Sequence, residues 1–320
     1  NVPKFGEPIY LTNGTYAFGD GTTQVKDLTF FGGGSGSLSA GPELKIVSST
    51  VSFKGGQRYN VLDYGLTGDG TTDDRAALNT LLNTTAPSGS TIYFPKGTYR
   101  LASAISVTDK YFYFISDFAT ILVDGNFSGL AFNSTSNVTL LAGKNSFENL
   151  IFLGTGTGSS QVGITFGVDA SKFTVLNCTF DNFGNAGIKA DVLNSPNGAG
   201  GIIHSCKFLN NAYGFFGLDG SEYVTISGCY FRNNTQCVET TAGNQKYISN
   251  AMSRNGHGIN VYAGPNDAHG IISGNDINHC GYALRFNGIV NGMTVSNNNI
   301  YSANISVVNS VGVAFSGGEQ

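Results

Sequence analysis

The sequence predicts an all-β chain: a single-stranded parallel β-helix, with one short capping α-helix near its start and a small β module before it. Three observations carry this expectation. Of 320 residues, 45 are Gly and only 12% are charged, and the excess over the apolar set is Gly, Asn, Ser and Thr, the vocabulary of turns and short strands. From about residue 145 a loose internal repeat runs to the end. Helical patterning is confined to the segment after the second of two GDGTT strings, at Gly68–Thr72; the first is at Gly19–Thr23.

Residues 1–45 form the expected N-terminal module. GEPIYLTNGTYAFGDGTTQVKDLTF alternates strand-like runs with tight turns and passes into the flexible GGGSGSLSAGPE. A hairpin this small does not fold alone.

Residues 46–100 are the expected opening of the solenoid: a strand, a capping helix and the first coil. Val61 and Leu62 read as strand, and Gly65 to Gly70 as turn. Thr72 reads as an N-cap, with Asp73 and Asp74 in the first helical turn where the dipole favours acids. Ala76, Ala77, Leu78, Leu81 and Leu82 supply an apolar face. STIYFPKGTYRL then reads as strand, turn and strand. The three aspartates are therefore expected to cap a turn and a helix. The string also lacks the lysine and spacing of a phosphate loop.

Residues 101–320 are the expected coils. Aligned on one column, the repeats read ENLIF, LNCTF, HSCKF, SGCYF, SNAMS, GNDIN and NNNIY. The column is Asn149, Cys178, Cys206, Cys229, Asn250, Asn275 and Asn298, at steps of 21 to 29 residues. Two positions on stands Ile151, Phe180, Phe208, Phe231, Met252, Ile277 or Ile300. Three before it stands Val175, Ile203, Ile226, Tyr247, Ile272 or Val295, and nine after it Phe215, Val238, Ile259, Leu284 or Val307. Each unit is three short strands that cannot bury an apolar face alone, so neighbours must stack. Asn side chains stacked at a bend can hydrogen-bond from coil to coil. The Cys members read as small buried thiols, because stacked Cβ vectors do not converge for a disulfide. Length variation falls in DVLNSPNGAGG and YAGPNDA.

The remaining composition excludes some roles. Net charge is −4 without a basic stripe, which argues against nucleic acid. No apolar run approaches the ~20 residues of a membrane span. Five cysteines without a CxxC argue against a zinc site or disulfide scaffold, and the four histidines lack metal-ligand spacing. No metal or cofactor is expected.

The opening segment resembles the pectate-lyase-like superfamily, and within it bacteriophage tailspike and tail fibre proteins. Asp63, Gly65, Gly68, Asp69, Gly70, Thr72, Asp73, Asp74, Ala76, Ala77 and Leu78 match the family's D-x-G-A-x-G-D-G-x-x-D-D-T-x-A-[IL] segment, and Phe94, Pro95, Gly97 and Tyr99 match V-x-[FL]-P-x-G-x-Y. Leu66 and Arg75 depart from it. The resemblance implies a right-handed helix and a homotrimer attached to other tail or baseplate proteins through the N-terminal module. It further implies a place on the virion, after assembly in the host cytoplasm, and binding and cleavage of a bacterial surface polysaccharide, either capsule or O-antigen. The alternatives are a non-catalytic receptor-binding or structural tail protein, and a cellular polysaccharide lyase or hydrolase of the same fold. The ending SVGVAFSGGEQ begins a strand without a cap, so further chain or a partner is expected to cover it.

On that resemblance the chemistry is sought on the outward row ten residues past the column: Phe216, Glu239, Asn260, Arg285 and Val308. Glycoside hydrolysis needs two carboxylates, and Asp219 and Glu239 are the expected acid and base or nucleophile, with Arg285, Asn260, His257 and Tyr262 as sugar-binding neighbours. Asp181, Asp191 and Asp267 are lesser candidates. A lyase would use a base such as Lys, Arg, Tyr or His opposite a neutralised uronate, for which Lys189 or Arg285 could serve; hydrolysis is the preferred expectation.

Overall fold

The computed structural model describes residues 58–134, 145–167, 172–190, 200–218, 221–262, 268–288, 290–308 and 313–316, together with four short strands before residue 54. The chain divides into Asn1–Gln57 and Arg58–Gln320. In the first unit Pro8–Tyr10 pairs antiparallel with Tyr16–Phe18, and Leu44–Val47 with Thr50–Phe53. The first GDGTT and the glycine-rich hinge lie outside the described residues.

The second unit is a right-handed parallel β-helix. Three sheets of 11, 10 and 9 strands run its length, and each strand pairs in parallel with its counterpart one coil away. A representative coil visits the first sheet at Gly200–His204, the second at Lys207–Leu209 and the third at Tyr213–Gly217, then returns to the first at Thr225–Ser227. The expected variable segments, 191–199 and 263–267, lie outside the described residues.

The opening differs in detail from the sequence reading. The strand is Arg58–Asn60, and Val61–Tyr64 is a 3-10 turn capped by Asn60, whose Oδ1 accepts from Leu62 N–H. Asp69–Asp73 is strand and the helix is Arg75–Thr80, so its N-cap is Asp74 and not Thr72, and Asp73 and Asp74 both precede it. Ala76 is exposed while Leu78, Leu81 and Leu82 are buried. The aspartates have the structural role expected of them. Asp74, 1% exposed, accepts from Thr67 N–H at 2.6 Å and Gly68 N–H at 3.3 Å. Asp73 accepts from Arg75 N–H and Ala102 N–H, and Asp69 from Thr71 N–H, Thr72 N–H and the Thr72 hydroxyl. Those bonds hold the exposed Asp69 carboxyl well below its ordinary pKa.

The interior is a set of ladders. Phe152, Phe180, Phe208 and Phe231 stack with centroids 5.0, 5.2 and 4.7 Å apart, matching the ~4.8 Å inter-strand spacing. This corrects the first repeat by one residue: Ile151 pairs with Thr179, so Leu150 and not Asn149 stands in the column. Asn149 occupies the preceding ladder of left-handed residues, φ 61°, with Asn177, Ser205, Gly228, Ser249, Gly274 and Asn297. At the far end Leu284 pairs with Ile305 and Arg285 with Ser306, after a register shift. Val307 and Val308 therefore do not continue those rows.

The column itself behaves as expected. Asn250, Asn275 and Asn298 each accept, through Oδ1, the backbone N–H of the column residue one coil earlier, at 3.0 Å. Their Nδ2 atoms donate to the carbonyls of Ile226, Tyr247 and Ile272. All five cysteines are free and buried, and burial pushes the Cys178 thiol up to about 12. A second ladder five residues further on, not anticipated from sequence, runs through Asn211, Asn234 and Asn255 with the same geometry.

These ladders make a sharp expectation for stability. Asn275→Ala strands the Asn250 N–H and the Tyr247 carbonyl in the interior and should cost about 2–4 kcal/mol, whereas the exposed Asn299→Ala should stay within about 0.5 kcal/mol. Guanidinium unfolding of the two variants checks this. Equal midpoints would show that the ladder contributes little.

Candidate functional site

On the third sheet the strands Tyr213–Gly217, Gln236–Thr240, His257–Tyr262 and Tyr282–Asn287 lie side by side. Their alternation is broken in one place. Gly214 with Phe215, Cys237 with Val238, Gly258 with Ile259 and Ala283 with Leu284 are consecutive buried pairs. Two facing-in residues in a row leave the residues on either side both facing out. The sheet therefore presents two outward rows where a regular strand would present one every second residue. The first is Tyr213, Gln236, His257 and Tyr282; the second is Lys189, Phe216, Glu239, Asn260, Arg285 and Ser306.

Four of the six expected site residues are on this surface in adjoining coils: Glu239, Asn260 and Arg285 in direct register, and His257 in the parallel row. Tyr262 lies at the end of its strand opposite Asn287. Asp219 lies outside the described residues, as do Asp191 and Asp267. Asp181 is on the second sheet, where Asn210 Nδ2 donates to its Oδ1 at 2.8 Å.

The environment of Glu239 is distinctive. Partial burial raises its carboxyl above the ordinary glutamate value, against hydrogen bonds from Gln236 and Asn260 and the charge of Arg285, which act the other way. Asn260 is fully buried and donates through Nδ2 to Gln236 Oε1. Its own Oδ1 has no hydrogen-bond partner among the described residues, and neither has His257 Nδ1. Burial, and then Arg285, lowers the His257 pKa, so its imidazole is neutral at pH 7. Two buried polar atoms without partners among the described residues thus lie beside a carboxyl held above the ordinary glutamate value.

Aromatic rings frame these groups. The Arg285 guanidinium is 5.9 Å from the ring centroids of both Tyr262 and Tyr282. His257 and Tyr282 have centroids 5.4 Å apart, and Tyr213 stacks on Phe216 at 4.9 Å. Lys189 Nζ is 6.0 Å from the Phe216 ring. Such a surface offers ring faces, hydrogen-bonding groups and two cations, Lys189 and Arg285, on coils spaced by about 4.8 Å along the helix axis. Sequence reasoning missed Tyr213, Gln236 and Tyr282. They stand seven residues past the column, and only the doubled inward pair puts that position outside.

Among the described residues no three His, Cys, Asp or Glu side chains converge as a metal site, and no helix is long and apolar enough to cross a membrane.

Comparison with known proteins adds the following. Mannuronan C5-epimerase AlgE4 of Azotobacter vinelandii is 30% identical over 138 residues, 42% of this chain and 21% of that protein. AlgE6 of the same organism is 42% identical over 52 residues, 16% of this chain and 6% of its own length. This chain thus matches about a fifth or less of the length of these relatives. Among solved structures, the Acinetobacter baumannii phage AM24 tailspike protein aligns at 14% identity and a TM-score of 0.43, covering 98% of this chain and 63% of that one. The AlgE4 A-module aligns at 15% and 0.42, covering 81% and 98%. The model of one family, described as rhamnogalacturonase A/epimerase, pectate lyase-like, matches residues 58–260. That span is most of the β-helix and includes Glu239, His257 and Asn260, and the chain belongs to this pectate-lyase-like family.

Proposed function

We propose that this chain binds an extended polysaccharide along the outward face of its third sheet and cleaves it, with Glu239 as the proton donor. The observation that carries the reading is the raised Glu239 carboxyl beside two buried, unpartnered polar atoms, Asn260 Oδ1 and His257 Nδ1. Such atoms cost free energy until a ligand supplies their partners, and sugar hydroxyls are suited to both. A carboxylic acid retained above its usual range can protonate a leaving glycosidic oxygen. Arg285 and the flanking Tyr262 and Tyr282 orient the glycan through a charge and two stacking faces. Hydrolysis needs a second carboxylate, and Asp219 is assigned that role. It follows the strand that pairs with the Glu239 strand.

The opening motif extends this proposal to a phage tailspike: a homotrimer on the virion, joined to other tail or baseplate proteins through residues 1–45 and acting on capsule or O-antigen. A second reading is favoured by the neutral His257 next to Arg285. In a uronate, Arg285 would neutralise the carboxylate while His257 removes the acidified C5 proton; departure of the sugar on O4, whose oxygen takes up a proton, gives elimination, and return of a proton to the opposite face of C5 gives epimerisation. The partial match to an enzyme named for mannuronan supports it.

Incubation with host surface polysaccharide separates the readings. New reducing ends alone indicate hydrolysis, reducing ends with ultraviolet absorbance indicate elimination, and an altered sugar spectrum in an uncut polymer indicates epimerisation. Unchanged polymer with retained binding would leave a receptor-binding protein. Glu239→Gln should lower hydrolytic kcat by about 10²–10⁴; full activity in this variant would remove Glu239 from the chemistry.

The pH behaviour is a separate expectation. A carboxyl with a raised folded-state pKa stabilises the fold below its unfolded pKa, and this contribution is lost as pH rises through the folded value. Glu239→Gln should therefore be more stable than the natural protein at neutral pH, with the gap closing as pH falls toward the ordinary Glu range near 4.5. Thermal unfolding across pH, with a carboxyl NMR titration of Glu239, tests the sign.

A further inference from the structure

The second sheet also has an outward face, and its charges are unbalanced. Lys207 pairs in register with Tyr230, and Leu209 with Arg232. Arg232 pairs in turn with Ser253, and Arg254 follows it. Lys207, Leu209, Asn210, Tyr230, Arg232 and Asn233 line a shallow depression of about 350 Å³.

Lys207, Arg232 and Arg254 are all exposed. None forms a side-chain hydrogen bond or ion pair among the described residues, where the one ion pair is Arg100–Asp124 at 2.7 Å. Asp181, opposite Leu209, is held by Asn210. Asp276, opposite Ala251, faces Asn299 Nδ2 at 3.4 Å. On a chain with only 17 Lys and Arg, three cations without an ion pair among the described residues stand in three successive coils beside a tyrosine ring, against the two carboxylates Asp181 and Asp276 on the same sheet.

We infer that this face is a second polysaccharide site, separate from the Glu239 surface, in which Lys207, Arg232 and Arg254 bind anionic groups of the glycan. Successive coils advance by about 4.8 Å, and the cations cross them obliquely: Lys207 is opposite Tyr230, Arg232 is opposite Leu209 and Ser253, and Arg254 is one residue beyond Ser253. Tyr230 and Leu209 give the sugar ring an apolar surface between them. The shared ligand chemistry is a carboxylate or sulfate carried on a sugar. Duplex DNA is a poorer fit, because three cations on a chain of net charge −4 make no continuous basic stripe. The choice of a glycan rests on the polysaccharide reading above; the anion site does not require cleavage.

The test uses the full chain and four probes: polygalacturonate, dextran sulfate, uncharged dextran and a short DNA duplex. The natural protein should bind one or both anionic polymers, more weakly as salt rises, and dextran at least tenfold less well. The triple variant Lys207→Ala/Arg232→Ala/Arg254→Ala should lose about tenfold in affinity for the anionic polymers, the sum of three exposed charge contacts. Loss for both polymers assigns a general anion site, and loss for polygalacturonate alone a carboxylate site. Circular dichroism and melting should be unchanged, and Arg232→Lys alone should retain most of the binding. Undiminished polymer binding by a folded triple variant would overturn the proposal, as would equal binding of dextran. Tighter binding of the duplex through the same residues would overturn the glycan assignment. Cleavage by the triple variant and by Glu239→Gln is scored in parallel, so failure of this site and failure of the third-sheet reading give different results.

Discussion

The later coils depend on one hydrogen bond repeated where the chain leaves the first sheet. Where the chain leaves the first sheet, it turns through a left-handed residue and carries the next backbone N–H into the interior, away from any strand partner. An unpaired buried N–H costs about 1–3 kcal/mol, and a solenoid meets that cost once per coil. Asn250, Asn275 and Asn298 meet it with Oδ1, and their Nδ2 atoms satisfy carbonyls of the first sheet. Cys229 does the same more weakly, accepting the Cys206 N–H through sulfur at 3.4 Å. The exchange of Asn for Cys along one column keeps both bonds in a weaker form, since Cys229 Sγ also donates to the Ile203 carbonyl at 3.7 Å.

The second bend connects that constraint to the surface. Asn211, Asn234 and Asn255 fix where each chain enters the third sheet. With that entrance fixed, the consecutive inward pairs such as Cys237–Val238 fall at the same height in every coil, and so do the outward residues beside them. Gln236 and Glu239 are three apart in sequence yet share one surface, and the same holds for His257 with Asn260 and Tyr282 with Arg285. The surface is preorganised by corners buried behind it, with no flexible loop needed to bring these groups together.

Much of this was legible in the sequence. The three-strand unit, the inward positions, the Asn and Cys column and the free thiols all follow from spacing and residue type. The errors have physical causes. Asn149 was read into the column because Asn suits both the amide ladder and the left-handed position before it, and the Leu150 that fills the column carries no polar mark. Thr72 was read as an N-cap because Asp73 and Asp74 resemble first-turn acids. In the fold they hold backbone N–H groups of neighbouring segments, and the strand continues through Asp73. The second ladder is hard to see in the sequence because it spans only three coils, with Phe183 before it and Cys280 after it. Of the site, Glu239, Asn260 and Arg285 are readable from a single outward row, while His257, expected as their neighbour, stands in the other row. Tyr213, Gln236 and Tyr282 are not readable, since period-2 alternation points them inward.

The two sets of carboxylates in the chain show how the same group is directed to different ends. Asp69 accepts three hydrogen bonds from Thr71 and Thr72 at 2.7–2.8 Å. Each of those bonds favours the charged form and depresses the pKa, so Asp69 has no proton to give at any ordinary pH. Glu239 also accepts amide hydrogen bonds and lies near a cation, which should depress it in the same way; yet burial outweighs them and the net shift is upward. The difference is solvent, because Asp69 is exposed and Glu239 is partly enclosed by its neighbours in the coil stack. A cluster of acids in a glycine-rich string is therefore a poor guide to chemistry in this fold. The lone glutamate between an aromatic residue and a buried amide contrasts with it, since there the stacking of coils withholds water and raises the carboxyl above its ordinary value.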